Sequence, residues 1–106
     1  LHGEAVLISA LDSDFDSHLM NCYFEISKKD QERINNLTRW ETTQPKNPLI
    51  PLLKGKTYEA LGEDVLAEEF FTKSKDLGNP SASHELLRFF VTRGNLKKAR
   101  QQTGAL

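Results

Sequence analysis

Apolar residues recur along this chain at three- and four-residue intervals, the spacing that places side chains on one face of an α-helix. One such stripe holds Leu86, Leu87, Phe90 and Val91. Four further stripes follow the same spacing: Phe15, Leu19, Tyr23 and Ile26; Ile34, Leu37 and Trp40; Leu49, Leu52, Leu53, Tyr58 and Leu61; and Val65, Leu66, Phe70 and Leu77. Strand-like alternation is nearly absent, so the pattern predicts an all-α protein.

Asparagine, proline and glycine mark the ends of these helices. The Asn-Pro pairs at 47–48 and 79–80 each combine an N-cap with proline at the first helical position, where its missing N–H costs nothing. Gly62, Gly78 and Gly94 each follow an apolar run, where glycine readily takes the left-handed backbone that ends a helix. We predict helices over 3–11, 14–27, 29–43, 47–61, 63–77, 80–93 and 95–103.

The end marks repeat every 32 residues. This offset separates the two Asn-Pro pairs, Gly62 from Gly94, and Ala67 from Ala99. Because all connections are short, neighbouring helices must fold back on each other as antiparallel hairpins. The sequence therefore predicts a single domain over residues 1–106, built as a right-handed stack of about three helix hairpins.

Residues 48–80 resemble a tetratricopeptide repeat. The chain matches that pattern at Gly55, Tyr58, Leu61, Gly62, Ala67, Phe71 and, one residue late, Pro80. Gly55 and Ala67 are expected to let helices approach closely, with Phe71 filling the gap, and Gly94 and Ala99 are expected to do the same in the next unit. Two departures are Pro51, where the family often has Trp, and Lys54, where it has Leu.

The packing expected of such a repeat predicts the core. It should contain Leu19, Tyr23, Leu37, Trp40, Leu53, Tyr58, Leu61, Ala67, Phe70, Phe71, Leu86, Phe90 and Ala99.

A narrower resemblance covers residues 19–99. Its elements are Tyr23, Trp40, Pro45, Leu49 to Gly55, Ala67, Ser74 to Leu77, Pro80, Gly94 and Ala99. In this order they are similar to the C-terminal part of the HemY family, tetratricopeptide proteins of the bacterial inner membrane associated with haem biosynthesis. One departure is the run at 64–67, where family members tend to carry Trp-Gly-Lys-Ala. The resemblance implies membrane helices upstream, a repeat domain on the cytoplasmic face and a supporting role in haem synthesis.

The first helix of each hairpin lines the inner, concave side of such a stack. The matched register places eleven residues there: Phe15, His18, Cys22, Glu25, Leu49, Leu52, Lys56, Glu59, His84, Arg88 and Val91. This mixture of apolar and charged groups suits a protein or peptide partner. Alternatively, the chain's own flanking helix, 3–11 or 95–103, fills the groove.

Catalysis and nucleic-acid binding are not expected. The chain carries a net charge of -1 and no apolar run long enough to cross a bilayer. Adjacent acids, such as Glu68 with Glu69, do not converge on a pocket as acid–base chemistry requires. The basic residues after Leu86 lack the interleaved aromatics of a nucleic-acid surface. We expect a non-catalytic interaction scaffold without cofactor or metal.

Two other functions stay open at this point. His18 and Cys22 lie four residues apart, so both could face one metal or haem iron, although two ligands are weak evidence. Met20 is expected to point elsewhere on that helix. The second alternative is a purely structural spacer that binds nothing.

Overall fold

A computed structural model describes residues 2–13, 16–27, 29–95 and 97–98, with side chains described from residue 5 onward. Within these ranges it contains six helices and no strand. They are α1 (His2–Ser13), α2 (Ser17–Ile26), α3 (Asp30–Thr43), α4 (Leu49–Ala60), α5 (Asp64–Asp76) and α6 (Pro80–Thr92). The all-α class is confirmed, whereas the predicted helix 95–103 lies mostly outside the described residues.

The 32-residue repeat extends to the hydrogen bonds at the helix ends. Asn47 Oδ1 accepts from the Leu49 amide at 2.9 Å, and Asn79 Oδ1 accepts from the Ser81 amide at the same distance. Gly62 and Gly94 take positive φ angles of 80° and 73° after α4 and α6. The helix starts differ by one residue: Asn79 is the N-cap of α6 with Pro80 at its first position, as predicted, whereas α4 begins at Leu49 with Pro48 as its N-cap.

Helix α4 lies between the two halves of the core. Its Ile50 and Leu53 pack into the first cluster, and its Leu52 packs into the second. The first cluster also contains Leu11, Met20, Tyr23, Leu37 and Trp40, and the second contains Ala67, Phe71, Ala82, Leu86, Phe89 and Phe90. Because α4 faces protein on most of its circumference, its sequence is apolar around the helix rather than along one stripe.

Most of the predicted core is buried, with one correction. Leu61 is 42% exposed, because it occupies the C-cap of α4 where the chain turns into solvent. Met20 lies away from His18 and Cys22 on α2, as expected, and is fully buried in a core from which the prediction omitted it. Leu19, Tyr58 and Phe70 are half-buried, and Ala99 lies outside the described residues.

Gly55 and Ala67 lie where helices approach closely, as predicted, whereas Gly94 does not. A Cβ added at Gly55 would lie 2.7 Å from Phe71 Cδ1, so α4 and α5 approach as closely as a glycine allows. Ala67 is fully buried. Gly94 is exposed, and an added Cβ would have no neighbour within 4 Å. Its glycine serves the left-handed turn rather than helix packing.

Replacing Gly55 with alanine tests this contact. We expect Gly55→Ala to lower the free energy of unfolding, because overpacking costs ~1–3 kcal/mol and outweighs the gain of up to ~1 kcal/mol from removing a helical glycine. Urea denaturation of Gly55→Ala, Phe71→Leu and the double variant measures the coupling. Phe71→Leu should cost less stability in the alanine background. A Gly55→Ala chain as stable as the wild type would contradict the close approach.

A charged pair is buried where α3 meets α4. Lys54 is 4% exposed, and its Nζ lies 3.1 Å from Glu41 Oε1 and 4.3 Å from the centre of the Phe70 ring. Lys73 approaches the other oxygen of Glu41 at 3.2 Å. Lys54 replaces the leucine common in the resembled repeat, and the ion pair and aromatic ring compensate its desolvation.

Substituting Glu41 and substituting Lys54 should lower the free energy of unfolding by different amounts. Glu41→Gln leaves the buried ammonium of Lys54 without a countercharge, which we expect to cost about 3 kcal/mol. Lys54→Met should stay within about 1 kcal/mol of the wild type, since Lys73 still neutralises Glu41. Lys73→Met, an exposed control, should also cost less than about 1 kcal/mol. Equal losses in the first two variants, measured by urea denaturation, would refute the buried-pair account.

Candidate partner-binding surface

The predicted groove residues fall on α2, α4 and α6, and the structure separates them into two sets. On α2, His18, Cys22 and Glu25 are exposed. The same helix buries Met20 and Tyr23, which lie on its opposite side at 100° per residue. The α2 set therefore points away from the core that α2 shares with α4. Phe15 lies outside the described residues.

The α4 and α6 set does come together. Leu52 is buried in the core, and Leu49, Lys56 and Glu59 are half-buried along α4. His84, Arg88 and Val91 are exposed and follow one face of α6. We call the surface formed by Lys56, Glu59, His84, Arg88 and Val91 the α4–α6 face.

Ion pairs join the two helices along this face. Arg88 donates from Nη1 and Nη2 to the two carboxylate oxygens of Glu59 at 3.1 and 2.5 Å, and from Nε to Glu85 at 3.0 Å. Lys56 Nζ lies 3.9 Å from Glu85. Two-point pairing of a guanidinium with a carboxylate fixes both distance and orientation, so these contacts add a directional link between α4 and α6.

The network continues to the start of α5. Arg93 donates to Glu59 at 3.3 Å and to Asp64 at 2.8 Å. The hydrogen bond to Glu59 raises the pKa of Arg88 further above its usual range, and the hydrogen bond to Asp64 raises that of Arg93. The reciprocal bond from Arg93 lowers the pKa of Asp64. Glu85, Asp64 and Arg93 were not predicted as site residues. The sequence indicated them only through the alternation of acidic and basic residues along neighbouring helices.

A cleft of about 770 Å³ is lined by none of the residues that define the α4–α6 face. Its walls come from the start of α2, the segment 43–49 and the turn at 78–80. Lys46 is the one charged residue among its twelve lining residues. Of the predicted groove residues the cleft contains only Leu49. The two Asn-Pro pairs that form its rim were predicted as helix caps and not as a surface.

The structure gives no support to a metal centre at His18 and Cys22. Among the described residues, no group of three or more histidine, cysteine, aspartate or glutamate side chains could hold a metal ion. Cys22 is an exposed free thiol. No helix in the described ranges combines the length and the apolar character needed to cross a membrane.

Comparison with known proteins gives no relative. No protein-family model matches the chain, and neither a curated protein nor a solved structure matches it. The tetratricopeptide and HemY resemblances therefore stay predictions.

The Arg93–Asp64 pair predicts a pH dependence. Because the pKa of Asp64 is lower in the folded chain than its ordinary 3.8, the pair stabilises the fold above that pH. This contribution is lost as the pH falls through the lowered pKa. We expect the thermal midpoint of the wild type to fall more steeply than that of Asp64→Asn between about pH 5 and pH 2. Asp76→Asn, at an exposed acid on the same helix, is the matched control. Parallel curves for wild type and Asp64→Asn would contradict the pairing.

Proposed function

We propose that this chain is a non-catalytic protein–protein interaction scaffold of tetratricopeptide-like helix hairpins, and that a peptide or partner protein binds the α4–α6 face. The observation that carries the proposal is the repeated unit. The asparagine contact and the left-handed glycine recur at a 32-residue offset, as expected of a chain that stacks helix pairs.

Contacts between α4 and α5 support a hairpin. Ser74, late in α5, donates from Oγ to the Pro48 carbonyl before α4 at 2.6 Å. The Tyr58 ring, late in α4, stacks on Phe70 in the middle of α5 with centres 5.4 Å apart. The contact of Ser74 with Pro48 brings the late part of α5 to the start of α4, which supports the antiparallel arrangement expected of the repeat.

Contacts between α4 and α6 support a stack of hairpins. The Arg88–Glu59 pair and the burial of Leu52 and Leu86 in one cluster support the proposal that the first helices of successive units lie side by side. In a right-handed helical solenoid these first helices form the concave wall, which presents side chains to a bound segment. A surface of this kind can bind a partner without a catalytic centre.

The wider context follows the HemY resemblance. We propose that the chain belongs to a membrane-anchored bacterial protein, with this domain on the cytoplasmic face of the inner membrane and a supporting role in haem biosynthesis. The partner would then be a protein of that process, and the domain itself would hold no cofactor.

Peptide selection tests the binding function. The immobilised chain is offered a random peptide library displayed on phage, and binding of the enriched peptides is measured by fluorescence anisotropy. We expect Lys56→Glu with Arg88→Glu to weaken binding at least tenfold, or about 1.4 kcal/mol, because both changes place glutamate beside Glu59 and Glu85. The matched control is Lys29→Glu with Lys75→Glu, away from the face, which should bind like the wild type.

Two results would remove the proposal. One is retained binding in the double reversal while its circular dichroism shows a folded chain. The other is a Soret band on titration with micromolar haemin that shifts in His18→Ala, which would favour the haem-binding alternative. Failure to enrich any peptide would favour the structural spacer.

A further inference from the structure

The charges of the α4–α6 face are balanced and paired inside the chain. Lys56, Arg88 and Arg93 oppose Glu59, Glu85 and Asp64, and each of the six lies within 4.0 Å of at least one opposite charge. The face therefore carries no net charge from these groups. It offers little long-range attraction to a strongly acidic or basic partner.

The donors and acceptors of the network are also largely occupied. Arg88 uses three of its five N–H groups within the chain. Glu59, whose side chain is 15% exposed, accepts from Arg88 on both oxygens and from Arg93 on one of them. A partner carboxylate would have to displace Glu59 and then lie beside its charge, and a partner cation would have to displace Arg88. The binding free energy that a charged partner group gains from a new ion pair is therefore about equal to the free energy lost by breaking the internal one.

What the face does leave open is apolar. Val91 is 54% exposed, three residues after Arg88 and seven after His84, so the three follow one side of α6. The stems of Arg88 and Lys56 add aliphatic surface, since their charged ends are turned toward glutamates of the same chain.

We propose that the segment bound on the α4–α6 face is uncharged and apolar, and that it anchors an aliphatic or aromatic side chain on Val91. This inference rests on the proposed binding function and adds the chemistry of the partner. The ion-pair network then offers a charged competitor no unpaired countercharge, while affinity comes from burying apolar surface.

The peptides enriched by the selection above supply the test. They should be rich in leucine, isoleucine, phenylalanine or tryptophan and poor in charged residues. Their dissociation constants should change less than twofold between 50 and 500 mM NaCl, because apolar contacts are not screened by salt. Val91→Asp should weaken binding at least tenfold, and Val91→Ala should weaken it severalfold.

The matched control is Val6→Asp, at a valine of α1 that is 65% exposed, and it should bind like the wild type. Circular dichroism of each variant establishes that it is folded. Enrichment of acidic or basic peptides with salt-sensitive binding would overturn the inference while leaving the binding function intact. Neutral peptides that bind Val91→Asp as tightly as the wild type would also overturn it. If no peptide is enriched, both proposals fall.

Discussion

The near contact between Gly55 of α4 and the ring of Phe71 on α5 is the constraint on which the rest of the structure depends. A single added Cβ would meet that ring at 2.7 Å, so the two helices lie as close as their backbones permit. This approach lets α4 serve both halves of the core. Ile50 and Leu53 pack toward α2 and α3, and Leu52 packs toward α6. A wider spacing would leave a gap beside Phe71, and packing contacts fall off steeply with distance.

Polar groups placed among the helices complement this packing. Lys54 is buried with Glu41 and Phe70, and Asp12 accepts from the indole Nε1 of Trp40 at 2.7 Å, which lowers the pKa of Asp12. The first contact joins α4 to its neighbours α3 and α5, and the second joins α1 to α3. Apolar burial is non-directional, so it fixes how much surface meets but not which atoms. Hydrogen-bonded pairs of fixed geometry add that orientation.

Apolar contacts and polar pairs also have separate roles at the proposed binding surface. The ion pairs around Glu59 link α6 to α4, and their charges are paired within the chain. A charged residue that a helical wheel places on the surface, where a partner could bind it, is therefore already paired with another residue of the folded protein. What remains for a partner is the uncharged part of the face, with Val91 as its exposed apolar side chain. This view connects the stability of the stack with the selectivity proposed for it.

The sequence by itself determined the helices, their approximate ends and the unit that repeats. Those properties depend on local chemistry: three- and four-residue apolar spacing, asparagine oxygens that accept from nearby amides, and glycine at positive φ. It also indicated that Gly55 and Ala67 pack closely. It misassigned Gly94 and Leu61, and it left Met20 out of the core. A turn glycine and a packing glycine look alike in sequence, and helical spacing alone does not show which face of a helix is the most buried.

Only the tertiary structure decided which predicted groove residues share a surface. His18, Cys22 and Glu25 were assigned with the residues of α4 and α6 because their helical register matched. The burial of Met20 and Tyr23 turned them to the opposite side of α2. The pairing of Arg88 with Glu59 was likewise invisible, since the two residues are 29 positions apart. A sequence fixes periodicity within a helix, but the rotation of one helix against another follows from long-range packing and charge.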